Sequence, residues 1–194
     1  MGSAGIEFRS EFKMWWPKYD HNPAGSYAKL KQGIGALEHT IELCDQKKVV
    51  FQAGGNIGMW PLRLSRSFEL VYTFEPAPDN FRALVKNISM TKNIAAFQSA
   101  LGHDTSLVKM RKSKSPGTWR VDAGEGSVEV IQTSIDAARP HACDAIVLDV
   151  EGYEVEALRG ATETIKKFHP IIHVEELPAK REAIRRYISE IGYS

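Results

Sequence analysis

Four polar signals in this chain are spaced as a ligand site would need them: the turn Gly54-Gly55-Asn56-Ile57-Gly58, then Glu75, then Asp149 with Glu151, and finally Glu175. Each closes a short run rich in β-branched residues. Glycine carries no Cβ, so the turn lets the backbone pass close to a bound molecule. Its G-x-N-x-G spacing lacks the central glycine of the dinucleotide fingerprint and the Gly-Lys-Ser/Thr ending of a phosphate loop. Taken alone, the turn is equally a tight strand-to-helix connection. Glu75 lies about 20 residues further on, where an acid at the end of the next strand accepts hydrogen bonds from both hydroxyls of a ribose. Such a charge-assisted bond contributes about 1.5–3 kcal/mol. The alternative role for Glu75 is an N-cap for the helix after Pro76. Converging Asp149, Glu151 and Glu175 would raise the pKa of one member by like-charge proximity and make it a better base. The same oxygens suit Mg²⁺, and one or two of them could equally cap helices or pair with Arg and Lys.

The elements that must position these residues alternate, short apolar strands with amphipathic helices, which argues for a parallel α/β sheet. Strands are expected at 48–53, 70–75, 95–100, 144–150 and 170–175. Pro61 suits the first turn of a helix after the glycine turn. Phe81, Leu84, Val85 and Ile88 fall on one helical face, as do Val155, Leu158, Ala161 and Ile165, and later Ile184, Tyr187, Ile188 and Ile191, with Gly192 at the stop. In such a sheet ligands bind at the carboxyl ends of the strands, which is where all four polar signals fall. Residues 14–47 read as a helical cap with Tyr27, Leu30, Ile34, Leu37 and Ile41 on one stripe, weakened by Gly33 and Gly35 at about 1 kcal/mol each. Residues 103–132 read as a hairpin insertion. Residues 1–13 read as an expression scar and a disordered start, leaving 14–194 as a single domain.

No apolar run approaches the roughly 20 residues of a membrane span. The 25 Lys and Arg against 24 Asp and Glu leave a net charge of +1, too balanced to coat nucleic acid by bulk charge. The basic run Lys109, Arg111, Lys112, Lys114 and Arg120 could still form a local patch. Cys44 and Cys143 build no disulfide framework and have no metal-ligand spacing, so both read as reduced core thiols of a cytoplasmic protein. Trp15, Trp16 and Trp60 read as packing, with Trp60 the aromatic nearest the turn. His173 shares a strand face with Glu175, where a histidine is more often a core residue than a catalyst.

Three segments, VVFQAGGNIGMW, VYTFEPAPDNFRALVKN and DAIVLDVEGYEVEALRGATETIKKFHPIIHVEE, together resemble the FkbM type of class I S-adenosylmethionine-dependent methyltransferase. The resemblance implies a Rossmann-like, mainly parallel sheet ordered 3-2-1-4-5 with helices on both faces. It implies S-adenosylmethionine across the first two strands, gripped by Gly54, Gly55, Asn56, Gly58 and Glu75, with adenine near Ser99, Ala100 and Leu101 and His103 beyond them. Asp149, Glu151 and Glu175 fall on the acceptor side as the catalytic set, and no metal is demanded, although Mg²⁺ is compatible. Gln52 stands where the family usually has an acid, and offers an amide in place of an ion pair to the methionine end. The implied reaction is O-methylation of a sugar or other small-molecule hydroxyl.

Two alternatives stand beside it: a nucleic-acid methyltransferase using the basic hairpin, and an S-adenosylmethionine-binding protein with impaired catalysis. A nicotinamide-dependent oxidoreductase is disfavoured by the absent glycine. The family usually closes its sheet with two further strands after the last helix, which are not found here. An uncovered sheet edge invites self-association, so a homo-oligomer covering it is expected.

Overall fold

A computed structural model of the chain describes residues 5–112, 119–121, 127–175 and 181–193. It opens with a hairpin, β1 (Ile6–Arg9) antiparallel to β2 (Met14–Pro17). Over residues 5–13 this corrects the expected disordered start, residues 1–4 lying outside the described residues: behind the polar lead stands an apolar set that packs. Trp16 is buried, with Ile6, Phe12, Met14 and Trp15 packed around the cluster it shares with Ile57 and Ala83. Asn87 locks the hairpin by accepting from the Trp15 backbone N–H (2.7 Å) and donating to the Trp15 and Ile57 carbonyls (2.9 and 2.8 Å). Helix α1 (Pro23–Leu43) follows, with Asn22 capping it by accepting from the Gly25 N–H.

The central sheet is built from β3 (Val49–Ala53), then α2 (Met59–Leu64), β4 (Leu70–Phe74), α3 (Pro78–Asn87) and β5 (Ile94–Phe97). The chain leaves that sheet at β6 (Ala100–Leu101) and enters a second, four-stranded one with β7 (Ser106–Lys112), β8 (Trp119–Val121) and β9 (Val128–Thr133), ordered β6-β9-β7-β8. The third expected strand, 95–100, is therefore divided between two sheets. The chain returns through β10 (Ala145–Leu148), α4 (Glu154–Arg159), α5 (Thr162–Phe168), β11 (Ile171–Val174) and α6 (Arg181–Glu190). The single helix stripe expected from Val155 to Ile165 is two short helices, broken at Gly160 and Ala161.

The central sheet is wholly parallel and ordered β11-β10-β3-β4-β5, the order that the family resemblance implies. Every residue of β3 and β10 is buried, as strands covered on both faces must be. Val49, Phe51, Ile146 and Leu148 meet Leu158, Ile165 and Ile184 on one face. Val50, Val71 and Val147 meet Leu37, Ile41, Trp60 and Leu64 on the other. Cys44 and Cys143 are both buried and free. No helix among the described residues is long and apolar enough to cross a membrane. Because β4 and β5 run out from β3 on one side and β10 and β11 on the other, the strand order reverses between β3 and β10. A crevice opens at the carboxyl ends there.

Candidate active site

A cavity of about 620 Å³ occupies that crevice, within the size range of small-molecule sites. The strand ends supply Gly54, Asn56, Glu75, Asp149 and Glu175, α1 supplies one wall, and β8 reaches over it from the second sheet. Four of the predicted signals thus meet in one space.

The glycine turn is dictated by proximity. Gly54 holds φ +83°, and a Cβ there would lie 2.0 Å from the Asp149 carbonyl oxygen, so any side chain would push β10 away from β3. The N–H groups of Gly54 and Gly55 both donate to the Phe74 carbonyl (3.0 Å each), which ties the turn to β4. Gly55 and Gly58 shape the turn from behind, against Leu84, and neither faces the cavity. Asn56 adopts the left-handed region, φ +47°, which Asn tolerates better than most residues. That conformation aims its N–H at Glu75 Oε2, 2.8 Å away.

Glu75 is 5% exposed and faces the cavity. Its Oε1 accepts from the Ala77 N–H at 2.9 Å, and the Asn80 side chain lies beside the carboxylate. Burial pushes its pKa up from 4.5 to about 7, while the Ala77, Asn56 and Asn80 hydrogen bonds pull it down. Each carboxylate oxygen has a second acceptor site, so the bond to Ala77 just ahead of α3 leaves capacity for a ligand hydroxyl. Ala100 and Leu101 line the cavity; Ser99 is buried and does not. Gln52 does not either. It is fully buried, donates to the Ala53 carbonyl (3.0 Å) and accepts from Thr73 Oγ1, so its amide is spent inside the sheet rather than on a methionine end.

On the far side of the turn, Asp149, Glu151 and Glu175 bring carboxylate oxygens within 4.8 Å of one another. Burial chiefly, and then Glu175 and Glu151 beside it, hold the Asp149 carboxyl well above the usual range, with Lys29 opposing them. Lys29 of α1 stands 3.8 Å from Glu151 and 3.9 Å from Glu175, and Arg120 of β8 stands 3.8 Å from Glu151. These separations exceed hydrogen-bond length, so the cations balance charge without saturating the carboxylates. Glu151 itself holds φ +54°, ahead of Gly152 at +97°, a sparsely populated backbone of the kind that persists where surroundings enforce it.

His173 lines the cavity below Glu175. Thr40 Oγ1 donates to the Ala36 carbonyl (3.1 Å) and stands 2.8 Å from His173 Nδ1. With the Thr40 proton on the Ala36 carbonyl, Nδ1–H donates to Thr40 and Nε2 keeps a lone pair; with that proton on Nδ1, Nε2 carries the ring hydrogen. Burial lowers the His173 pKa, with Glu175 pulling the other way. His103 stands outside the cavity, between Asp104 and Glu156. The basic run is not one outward face: Arg120 turns to Glu151, and Lys112 lies 3.8 Å over the Tyr19 ring. Lys114 lies outside the described residues. Sequence reasoning passed over Asn80, Lys29, Tyr19 and Trp119. Asn80 stood inside the quoted FEPAPDNF segment; the other three come from appended elements and carry no motif.

A parallel sheet in this order, with helices on both faces and an acid-lined crevice at its reversal, is the class I methyltransferase fold. An FkbM methyltransferase from Methylobacillus flagellatus superposes with TM-score 0.55 at 22% identity, over 75% of this chain and 37% of that one. A protein from Methanobacterium thermoautotrophicum described as precorrin 8w decarboxylase superposes with TM-score 0.54 at 16% identity, over 82% and 70%. The chain belongs to the methyltransferase FkbM domain family, whose pattern matches residues 52–194. The hexuronic acid methyltransferase AglP of Haloferax volcanii is 25% identical over 139 residues, 68% of this chain and 57% of that protein. The chain thus spans little more than half of that relative and about a third of the Methylobacillus protein.

Proposed function

We propose that this chain is an S-adenosylmethionine-dependent methyltransferase whose acceptor is the hydroxyl of a sugar or another small molecule. The observation that carries the reading is the placement of Glu75 and the Asp149 carboxyl on opposite sides of one glycine turn, in one cavity. Glu75 takes the ribose hydroxyls, Gly54 and Asn56 let the cofactor lie against the turn, and Ala100 with Leu101 floors the adenine. S-adenosylmethionine supplies an activated methyl group. The chain has to align that methyl with the acceptor oxygen and take the hydroxyl proton; positioning and a general base together supply the rate.

Asp149 is the base in this reading. A carboxyl raised toward neutral pH binds a proton strongly enough to accept one from a hydroxyl in the transition state. Glu151 and Glu175 hold the acceptor's other hydroxyls, and Lys29 and Arg120 keep the charge of the trio in check. The relatedness to a hexuronic acid methyltransferase supports a sugar acceptor. The engagement of Arg120 with Glu151 and of Lys112 with the Tyr19 ring, although both side chains stay exposed, speaks against a nucleic-acid strand docked along the basic run.

Calorimetry with S-adenosylmethionine, and S-adenosylhomocysteine release with a panel of hexoses and hexuronic acids, test the reading. Micromolar cofactor binding and turnover with one class of sugar are expected. Binding of nicotinamide dinucleotides without binding of S-adenosylmethionine would overturn it.

A further inference from the structure

Three donors in succession run from the second sheet into the cofactor end of the cavity. Trp119 Nε1 of β8 lies 3.2 Å from the Tyr19 hydroxyl. The Tyr19 hydroxyl donates to Asn80 Oδ1 at 2.5 Å, and the Asn80 amide lies beside the Glu75 carboxylate, whose pKa it lowers. The direction of the chain is forced. An indole N–H can only donate, so the tyrosine oxygen accepts there and spends its own proton on the Asn80 carbonyl. That leaves the Asn80 NH₂ for Glu75, which, ionised, can only accept. Reversing any link would set two donors or two acceptors face to face.

The four residues come from four separate places: β8, the segment between β2 and α1, helix α3, and the end of β4. Trp119, Asn80 and Glu75 line the cavity, whereas Tyr19 stands behind them. The charged groups around the phenol are Glu75, Asp79 and Asp20, with Lys112 over its ring. Asp20 is held by the Trp16 indole and the Asn22 N–H, and Asp79 pairs with Arg82. Burial first, and then these three carboxylates, keep Tyr19 protonated and therefore a donor at every working pH.

We propose that the inserted sheet is part of the cofactor site: Trp119, acting through Tyr19 and Asn80, orients the Glu75 carboxylate toward the ribose. Tyr19 and Trp119 are positioning residues, since they act through Glu75. This rests on the S-adenosylmethionine reading and deepens it, by making a strand outside the central sheet a determinant of cofactor affinity.

Tyr19→Phe keeps the ring beneath Lys112 and removes only the hydroxyl; Trp119→Phe keeps an aromatic ring and removes the N–H. Two measurements are made on the whole chain. The first is a pH titration of the Glu75 side-chain carboxyl by ¹³C NMR without cofactor, with Glu75→Gln assigning the signal. Freeing the Asn80 amide to turn its NH₂ away from the charged form should raise the midpoint by about half a pH unit or more in Tyr19→Phe, and by less in Trp119→Phe. The second is S-adenosylmethionine affinity by calorimetry, expected to fall about fivefold to tenfold at pH 7 in Tyr19→Phe and to recover at pH 9, where Glu75 is ionised in both proteins. A role confined to pinning the insertion would lower affinity equally at both pH values and leave the midpoint in place. An unmoved midpoint in both variants overturns the proposal. Should the parent chain bind no S-adenosylmethionine, the cofactor reading fails, and the NMR titration still reports whether the relay reaches Glu75.

Discussion

Glu75 is held by two backbone N–H donors, with the Asn80 amide beside it, yet is buried deeply enough that its pKa stands at about 7; the balance between those effects is what a ribose would tip. The ionised form accepts from two hydroxyls better than the protonated form does, so cofactor affinity should climb as pH rises toward about 7 and level off above it. Glu75→Ala should weaken S-adenosylmethionine binding about tenfold or more, roughly 1.5–3 kcal/mol, and abolish that pH dependence; calorimetry between pH 5.5 and 8.5 checks both. Unchanged affinity would remove Glu75 from the site. Asp149 is a different kind of residue. Its proton moves only in the transition state, so Asp149→Asn should cut turnover about 10²-fold or more while cofactor affinity changes less than about threefold, roughly 0.6 kcal/mol. A loss of cofactor binding instead would place Asp149 on the other side of the methyl group. If EDTA abolishes turnover and Mg²⁺ restores it, the role of Asp149 passes from base to metal ligand, with Glu151 and Glu175 beside it.

Helix α1 forms a wall of the cavity, and two of its three glycines, Gly33 and Gly35, do different things. A Cβ at Gly33 would lie 2.3 Å from Trp60 Cζ2, whereas one at Gly35 meets nothing within 4 Å. Trp60 cannot swing away freely, since its Nε1 donates to the Leu30 carbonyl at 3.1 Å and its ring meets His173 edge-on. Gly33 is therefore a seat for Trp60, and the helix accepts the propensity cost there. Gly33→Ala should destabilise the fold by about 1–3 kcal/mol through overpacking. Gly35→Ala should stabilise it by about 0.8–1 kcal/mol, the ordinary gain of alanine in a helix. Urea denaturation of the pair separates the two roles; equal stabilities would mean that α1 is not seated on Trp60.

At the scale of the molecule, the site works against the stability of the fold that holds it. The folded-state pKa of Glu75 lies above its ordinary 4.5, so as pH rises the unfolded chain releases this proton first. The contribution of Glu75 is fully present below about pH 4.5 and is lost as pH rises through about 7. Asp149 is displaced in the same direction. The cofactor-free protein should therefore unfold at lower urea concentration at pH 8 than at pH 5.5 as far as these groups are concerned. In Glu75→Gln that decline should be shallower. Saturating S-adenosylmethionine should restore stability most at pH 8, where the ribose meets a carboxylate. An identical pH dependence in wild type and Glu75→Gln would show that Glu75 is not held in this way.

Periodicity and strand-end chemistry in the sequence were enough to determine the five parallel strands and the convergence of Gly54, Glu75, Asp149 and Glu175, while the family resemblance supplied the strand order. The reason is that a parallel strand buried on both faces must be a continuous apolar run, and ligands gather at the carboxyl ends of such strands. Only the tertiary structure decided which polar side chains face the cavity. Gln52 has the type and position of a ligand contact, yet a partner across the sheet, Thr73, takes its carbonyl. His173 was legible as a strand histidine, but its free nitrogen depends on Thr40, which is 133 residues away in the chain. Residues 6–17 gave no period long enough to read, because the hairpin is stabilised by Asn87 and Ile57 and not by its own pattern. Tyr19, Lys29, Trp119 and Arg120 reach the site from elements outside the central sheet. What brings them there is side-chain packing between segments distant in sequence, and no local spacing records that.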